Sequence, residues 1–202
     1  MIFLWVGLPI IALLFHFTSV GSSGQDIPFT LISSIVVSSI GGTLAAVMLA
    51  VSIINEKNRH VYDLFLIRPI KRHDIILTKF FSVYVCVAIA SAIALLVGMV
   101  ADFTVTGALS ATVLLDAGES LVTTLSMIAI SCGAGVLIGV ASPSVLVGAI
   151  LVIYGGNQIS VIPLVPTLLN LSDAVVFTVV LAVAVAAGLL AGAVALFNKK
   201  QF

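Results

Sequence analysis

Every Lys and Arg in this chain falls into one of two short stretches, and the apolar sequence between them is far too long for the core of a water-soluble domain. The basic residues are Lys57, Arg59, Arg68, Lys71, Arg72 and Lys79, followed only by Lys199 and Lys200. None occurs in 1–56 or in 80–198. Hydrophobic residues make up 61% of the 202 and charged residues only 8%, whereas a soluble domain carries about 25%. So few charges cannot cover a globule. The composition excludes a soluble enzyme, a nucleic-acid binder and a disordered tail, and it identifies an integral membrane protein. A net charge of zero conceals the useful signal, which is where the charges sit.

Apolar stretches of about 20 residues cross ~30 Å of hydrocarbon. They fit at 1–20, 30–54, 80–100, 121–141, 145–159 and 174–197, the fifth being short. Basic loops stay in the cytoplasm, while acidic residues orient a chain only weakly. Segment 55–79 and the C-terminus are therefore expected to be cytoplasmic. Asp26, Asp102, Asp116, Glu119 and Asp173, which have no basic neighbours in sequence, belong outside. An even count of six spans returns both termini to the basic side, in agreement with the charge bias. The expected fold is an all-α integral membrane protein, a single transmembrane domain over 1–202. Stretch 101–120 reads as an outer loop, with 109–115 as a short interfacial helix. Stretch 160–173 is too apolar for a solvated loop, and Pro163 and Pro166 interrupt any continuous helix. It reads as a short segment dipping into the outer leaflet, which needs protein around its backbone. A cleaved signal peptide over 1–20 is the weaker alternative, because there is no positive residue ahead of the apolar run.

Much chemistry is missing from the sequence. No Gly-x-x-x-x-Gly-Lys-Ser/Thr loop occurs to cradle a phosphate. There is no His-Glu-x-x-His, Gly-x-Ser-x-Gly or paired-cysteine spacing. Catalytic residues, bound cofactors and metal ligands are therefore not expected. Cys86 and Cys132 lie within spans and read as small packing residues. His16, inside the first span, reads as a neutral side chain bonded to a carbonyl rather than a proton relay, since no intramembrane carboxylate pairs with it. Ion-coupled carriers hold charges at mid-membrane. These spans hold none, so any transport must draw energy from another chain.

The most informative stretch is 55–79. Val61, Leu64, Phe65 and Arg68 stand at i, i+3, i+4 and i+7, the spacing of a short amphipathic helix. Pro69 ends it by pushing Arg68 out of the helical region, and a second helix is expected from about Ile70 or Lys71 into the third span. The result is a cytoplasmic helix–Pro–helix elbow between spans two and three. A basic helix lying on anionic lipid headgroups would account for the Lys and Arg. It would not account for Glu56, Asp63 and Asp74 among them, or for Tyr62 beside Phe65. A docked protein partner accounts for both.

This stretch resembles the permease subunits of type-2 ABC transporters, many of them exporters. Their pattern between spans two and three runs Glu-Lys-Glu-x-Gly-Thr-Leu-Glu-x-Leu-Leu-x-x-Pro-Ile-Ser-Arg-x-Glu-Ile-Leu-x-Gly-Lys. Glu56 and Lys57 match its opening, Asp63 its later acid, and Leu64, Phe65 and Leu66 its apolar run. Pro69-Ile70, Arg72, Asp74-Ile75-Ile76 and Lys79 complete it. Asn58, His60 and Thr78 depart from it, which removes an acid and two glycines but keeps the helix–Pro–helix frame. The six-span plan, the Pro-containing outer segment and the basic tail extend the likeness over most of the chain. Members usually begin with an interfacial helix, where this sequence starts at Met1-Ile2-Phe3.

The resemblance implies two permease chains, as a homodimer or heterodimer, forming the membrane path above two copies of a separate ABC ATPase subunit. ATP would be used by that partner, and this chain would be no enzyme. The coupling helix docking into the ATPase would be carried by Glu56, Lys57, Arg59, Val61, Tyr62, Asp63, Leu64, Phe65 and Arg68. Pro69 and Arg72 would belong to the elbow. The apolar stripe would fill the ATPase groove and the charges would set register at its rim. Membrane lipid is the remaining partner, and nucleic acid is excluded. Two other classes stay open: a non-transporting or degenerate membrane scaffold or immunity protein, and a stand-alone secondary carrier. The absence of intramembrane charge and of internal repeats disfavours the carrier.

Close helix approach is signalled by Gly135-x-x-x-Gly139, by Gly188-x-x-x-Gly192, and by Ser38, Gly42 and Ala46 at four-residue spacing. Each is assigned to packing within the chain ahead of a dimer face. Asn157 and Gln158 are the polar residues near the outer end of the fifth span. A lining of Ser, Thr and small apolar side chains would suit a small amphipathic compound.

Overall fold

A computed structural model of the chain describes residues 37–58, 72–106, 111–165 and 174–199, together with the helical positions Gly7 and Ile10. The described residues are helical apart from the connection at 142–144 and a turn at Val161, and none is in a strand. A π-helical turn, Val37–Gly41, leads into α1, Gly42–Asn58. Helices α2, Arg72–Thr106, and α3, Ala111–Ala141, follow. After the 142–144 connection come α4, Val145–Leu151, a second π turn, Val152–Gly156, and α5, Asn157–Ser160. A 3-10 turn at Ile162–Leu164 precedes the last described helix, α6, Ala174–Lys199.

Four of these helices are long and apolar enough to cross a membrane, over Ser39–Asn58, Asp74–Val100, Ala117–Ala141 and Val175–Phe197. They correspond to the second, third, fourth and sixth expected spans. The fifth is a shorter apolar run, Val145–Ser160, which at 1.5 Å per residue rises only about 24 Å. The first expected span, with His16, lies outside the described residues save Gly7 and Ile10.

The outer loop expected over 101–120 is corrected. Helix α2 continues to Thr106 and α3 begins at Ala111, so 111–115 is the first part of a long helix and not a separate interfacial piece. Asp102, Asp116 and Glu119 end the apolar runs, but an acid near a helix end leaves the backbone hydrogen bonds intact. Polarity limits the apolar span and does not limit the helix.

Helix α3 is central, packing against α1, α2 and α6. The core gathers where these helices converge: Leu49 and Ile53 from α1, Ile76, Phe80 and Val87 from α2, Ile128, Cys132, Val136 and Val140 from α3, and Ala193 and Phe197 from α6. Cys132 is buried within it as a small packing residue, and neither it nor Cys86 forms a disulfide. Phe80 stacks on Tyr84 with centroids 5.9 Å apart. Further along, Ala94 of α2 meets Ile40 and Leu44, as an antiparallel α1–α2 pair requires.

The glycine spacing decides how α1 and α3 meet. A Cβ on Gly135 would stand 2.5 Å from the Ala46 carbonyl oxygen, and one on Gly139 would stand 3.0 Å from the Ala50 Cα. A Cβ on Gly42 would lie 3.2 Å from Ser131 Oγ. Both small-residue patterns therefore face each other within one chain, as small residues do where membrane helices approach closely. The α6 pattern behaves differently: nothing lies within 4 Å of a Cβ on Gly188, whereas Gly192 faces Leu137. Only half of that repeat serves the intrachain packing assigned to it.

Candidate functional site: the basic end of the bundle

The helix order brings the charged ends of α1, α2 and α6 together. Lys57 lies in the last turn of α1 and Lys199 in the last turn of α6, where a cation complements the helix dipole. Asp74 lies in the first turn of α2, the favourable place for an acid. Phe197 shares a cluster with Ile53, Ile76 and Phe80, so the end of α6 stands level with the end of α1 and the start of α2. Among the described residues of the four long helices, charges occur only toward the helix ends.

Two neighbouring residues at the end of α1 hold different parts of the bundle. Glu56 forms an ion pair with Lys79 of α2, both side chains being about a quarter exposed. The second carboxylate oxygen of Glu56 accepts from Ser52 Oγ at 3.4 Å. Lys57 Nζ donates to the Ser142 carbonyl at 3.4 Å, reaching the connection between α3 and α4. That connection is firmly seated. Ser142 is 2% exposed, and its amide donates to the Ile138 carbonyl. Ser144 caps α4 by accepting from the Val147 amide. Gly148, one turn on, meets Ile54 of α1, whose Cδ1 would collide with any Cβ added there.

Of the residues assigned to coupling, Glu56 and Lys57 thus bond to neighbouring parts of the bundle, to α2 and to the 142–144 connection. Arg72 begins α2, near the start expected for the second arm of the elbow. Arg59, Val61, Tyr62, Asp63, Leu64, Phe65, Arg68 and Pro69 lie outside the described residues. The sequence reading gave no site role to Lys79, Ser52 or Ser142. The signal for Lys79 was present: opposite charges open and close the 56–79 stretch, at the ends of two helices that must run antiparallel.

A second polar feature lies toward the opposite end. Tyr154, Asn157 and Gln158 are exposed, with Tyr154 at 75%. Ser142 is level with Lys57, so Asn157 lies about 20 Å along the bundle from the charged end, short of the ~30 Å hydrocarbon depth. Amide side chains at that level need a polar partner or water. The Pro-containing segment beyond them packs against α6, where the buried Thr178 Oγ1 donates to the Pro163 carbonyl at 3.2 Å. This supplies the protein contact that its interrupted backbone requires; the remainder, 166–173, lies outside the described residues.

No family model, curated protein or solved structure matches the chain. The likeness to type-2 ABC permeases therefore rests on the residues of the 56–79 stretch and the span plan. Among the described residues no cluster of His, Cys, Asp or Glu has the grouping of a metal site.

Proposed function

We propose that this chain is the permease subunit of an ATP-driven type-2 ABC exporter, with six spans, both termini cytoplasmic, and a coupling helix between the second and third spans. The observation that carries the reading is the 56–79 stretch, in which acid, apolar stripe, Pro69-Ile70, Arg72 and closing Lys79 follow the permease pattern in order. Two chains would form the path through the cell membrane and two ATPase subunits would dock beneath them. ATP would be hydrolysed on those subunits. The ion pair between Glu56 and Lys79 supports the reading, because it joins the two ends of the stretch and gives the elbow a fixed base. The confinement of described charges to the helix ends also fits energy supplied from outside the membrane rather than by an intramembrane proton or ion relay. The exposed Tyr154, Asn157 and Gln158 would face the path between the two permease chains, where water or a polar partner satisfies them.

The test is co-purification. Expressed with an ABC ATPase encoded beside its gene, the wild-type chain should retain that subunit. Leu64→Asp combined with Phe65→Asp should abolish retention while leaving membrane insertion and self-association unchanged. Retention by the double variant would defeat the docking assignment. Failure of the wild type to bind would favour the scaffold class.

A further inference from the structure

Glu56 and Lys57 are adjacent, yet they are fastened to different neighbours: Glu56 to Lys79 at the start of α2, and Lys57 to the Ser142 carbonyl ahead of α4. On an α-helix, consecutive residues point about 100° apart, so one turn of α1 can address two directions at once. Both attachments are reinforced. Ser52 holds the other oxygen of Glu56, and Gly148 admits the buried Ile54 of α1 against the start of α4. From Ser144 the polypeptide continues through α4 and the second π turn to the exposed Tyr154, Asn157 and Gln158.

We propose that Glu56 and Lys57 are positioning residues that divide a displacement of the coupling segment. Glu56 passes it to α2 through Lys79, and Lys57 passes it through the 142–144 connection to the run that carries the outer polar face. The proposal rests on the coupling role given to this segment, which supplies the displacement. The two attachments themselves can be tested without the ATPase. Neither is a deep-membrane contact. Each joins a helix end to a neighbouring end. Ile53, Ile76 and Phe80 still pack α1 on α2 and Ile54 still meets Gly148 when an attachment is lost, so loss of one should loosen the register of that neighbour alone and leave the central α1–α3 packing in place.

The experiment uses the full chain in lipid nanodiscs, with Cys86 and Cys132 replaced by Ala. Spin labels are placed at the exposed positions 58 and 78, or 58 and 146, and read by pulsed electron-spin distance measurement. Glu56→Gln should broaden the narrow 58–78 maximum and leave the 58–146 maximum unchanged. Lys57→Gln should do the reverse, and Lys57→Arg should retain both. The charge exchange Glu56→Lys with Lys79→Glu should restore the 58–78 maximum, which a general loss of folding would not do. Two maxima unaffected by either single variant would overturn the proposal. So would two that broaden together in both variants, because the end of the bundle would then move as one block. Neither result depends on whether an ATPase binds, so failure here and failure of the transporter reading are separable.

Discussion

Gly135 of α3 lies against Ala46 of α1 so closely that a Cβ at position 135 would stand 2.5 Å from the Ala46 carbonyl oxygen and 2.9 Å from its Cα. The atoms it would meet belong to a helix backbone, which cannot move aside as a side-chain tip can. Gly135→Ala should therefore force α1 and α3 apart and destabilise the protein by about 1–3 kcal/mol, the usual range for overpacking. Gly188→Ala meets nothing within 4 Å and should be neutral, or stabilise by up to about 1 kcal/mol through helix propensity. Thermal unfolding of the two variants in one detergent checks the contrast. A destabilised Gly188→Ala whose loss disappears on dilution to monomer would place a second chain against that face of α6.

Thr178 ties α6 to the Pro-containing segment by donating to the Pro163 carbonyl, and it is fully buried. Thr178→Val keeps the shape and removes the donor to the Pro163 carbonyl. Stability should fall by about 1 kcal/mol, in the range measured for hydrogen bonds between membrane helices. Thr178→Ser, which keeps the hydroxyl, should recover most of it. Equal melting temperatures for wild type and Thr178→Val would show that the contact contributes nothing.

ATP should not bind the purified chain. Its sequence has no Gly-x-x-x-x-Gly-Lys-Ser/Thr loop, the motif whose backbone amides cradle a triphosphate. Equilibrium dialysis with labelled ATP should give no saturable binding to this chain alone. If the chain is the permease proposed above, turnover should appear on a separate ABC ATPase and change when this chain is added. Saturable binding by the isolated chain would remove the division of labour between the two subunits.

The parts of the fold that were legible in the sequence are those set by one-dimensional signals. Runs of apolar residues located the four long helices, since hydrocarbon thickness imposes a length. Four-residue spacing of small residues at Gly42 and Ala46, and at Gly135 and Gly139, marked the surfaces that meet, because a helix face repeats at nearly that interval. The extent of α2 and α3 was misread because Asp102, Gly118 and Glu119 end an apolar run without ending a helix. The π turns at Val37–Gly41 and Val152–Gly156 had no readable signal. An i to i+5 bond depends on how neighbouring helices crowd one turn, and Val152 is in fact packed on Ala46 and Ala50. At the candidate site the opposite charges of Glu56 and Lys79 carried a signal for their pairing, but the contact of Lys57 with Ser142 had none. The Ser142 group that accepts from Lys57 is a backbone carbonyl, which side-chain chemistry does not announce.

Pro69 offers the sharpest test of the elbow. Glu56 and Lys79 fix the base of the 56–79 stretch, and the sequence places Pro69 between its two arms. Proline lacks an amide donor and disfavours the helical region at Arg68, so in the proposed elbow it would set an angle between the docking arm and α2. Pro69→Ala restores both the donor and the preference, permitting one continuous helix from about Val61 into the membrane. An arm that is continuous with α2 can still present Leu64 and Phe65 to an ATPase groove, so binding should be partly retained. What should weaken is the dependence of transport on ATP hydrolysis, because a straight helix can no longer turn a sideways shift of the arm into a tilt of α2. Transport and ATP turnover measured side by side in proteoliposomes, for wild type and Pro69→Ala, should show turnover continuing while the transport per ATP falls. A ratio unchanged by the substitution would remove the elbow from the mechanism and leave the stretch as a static anchor.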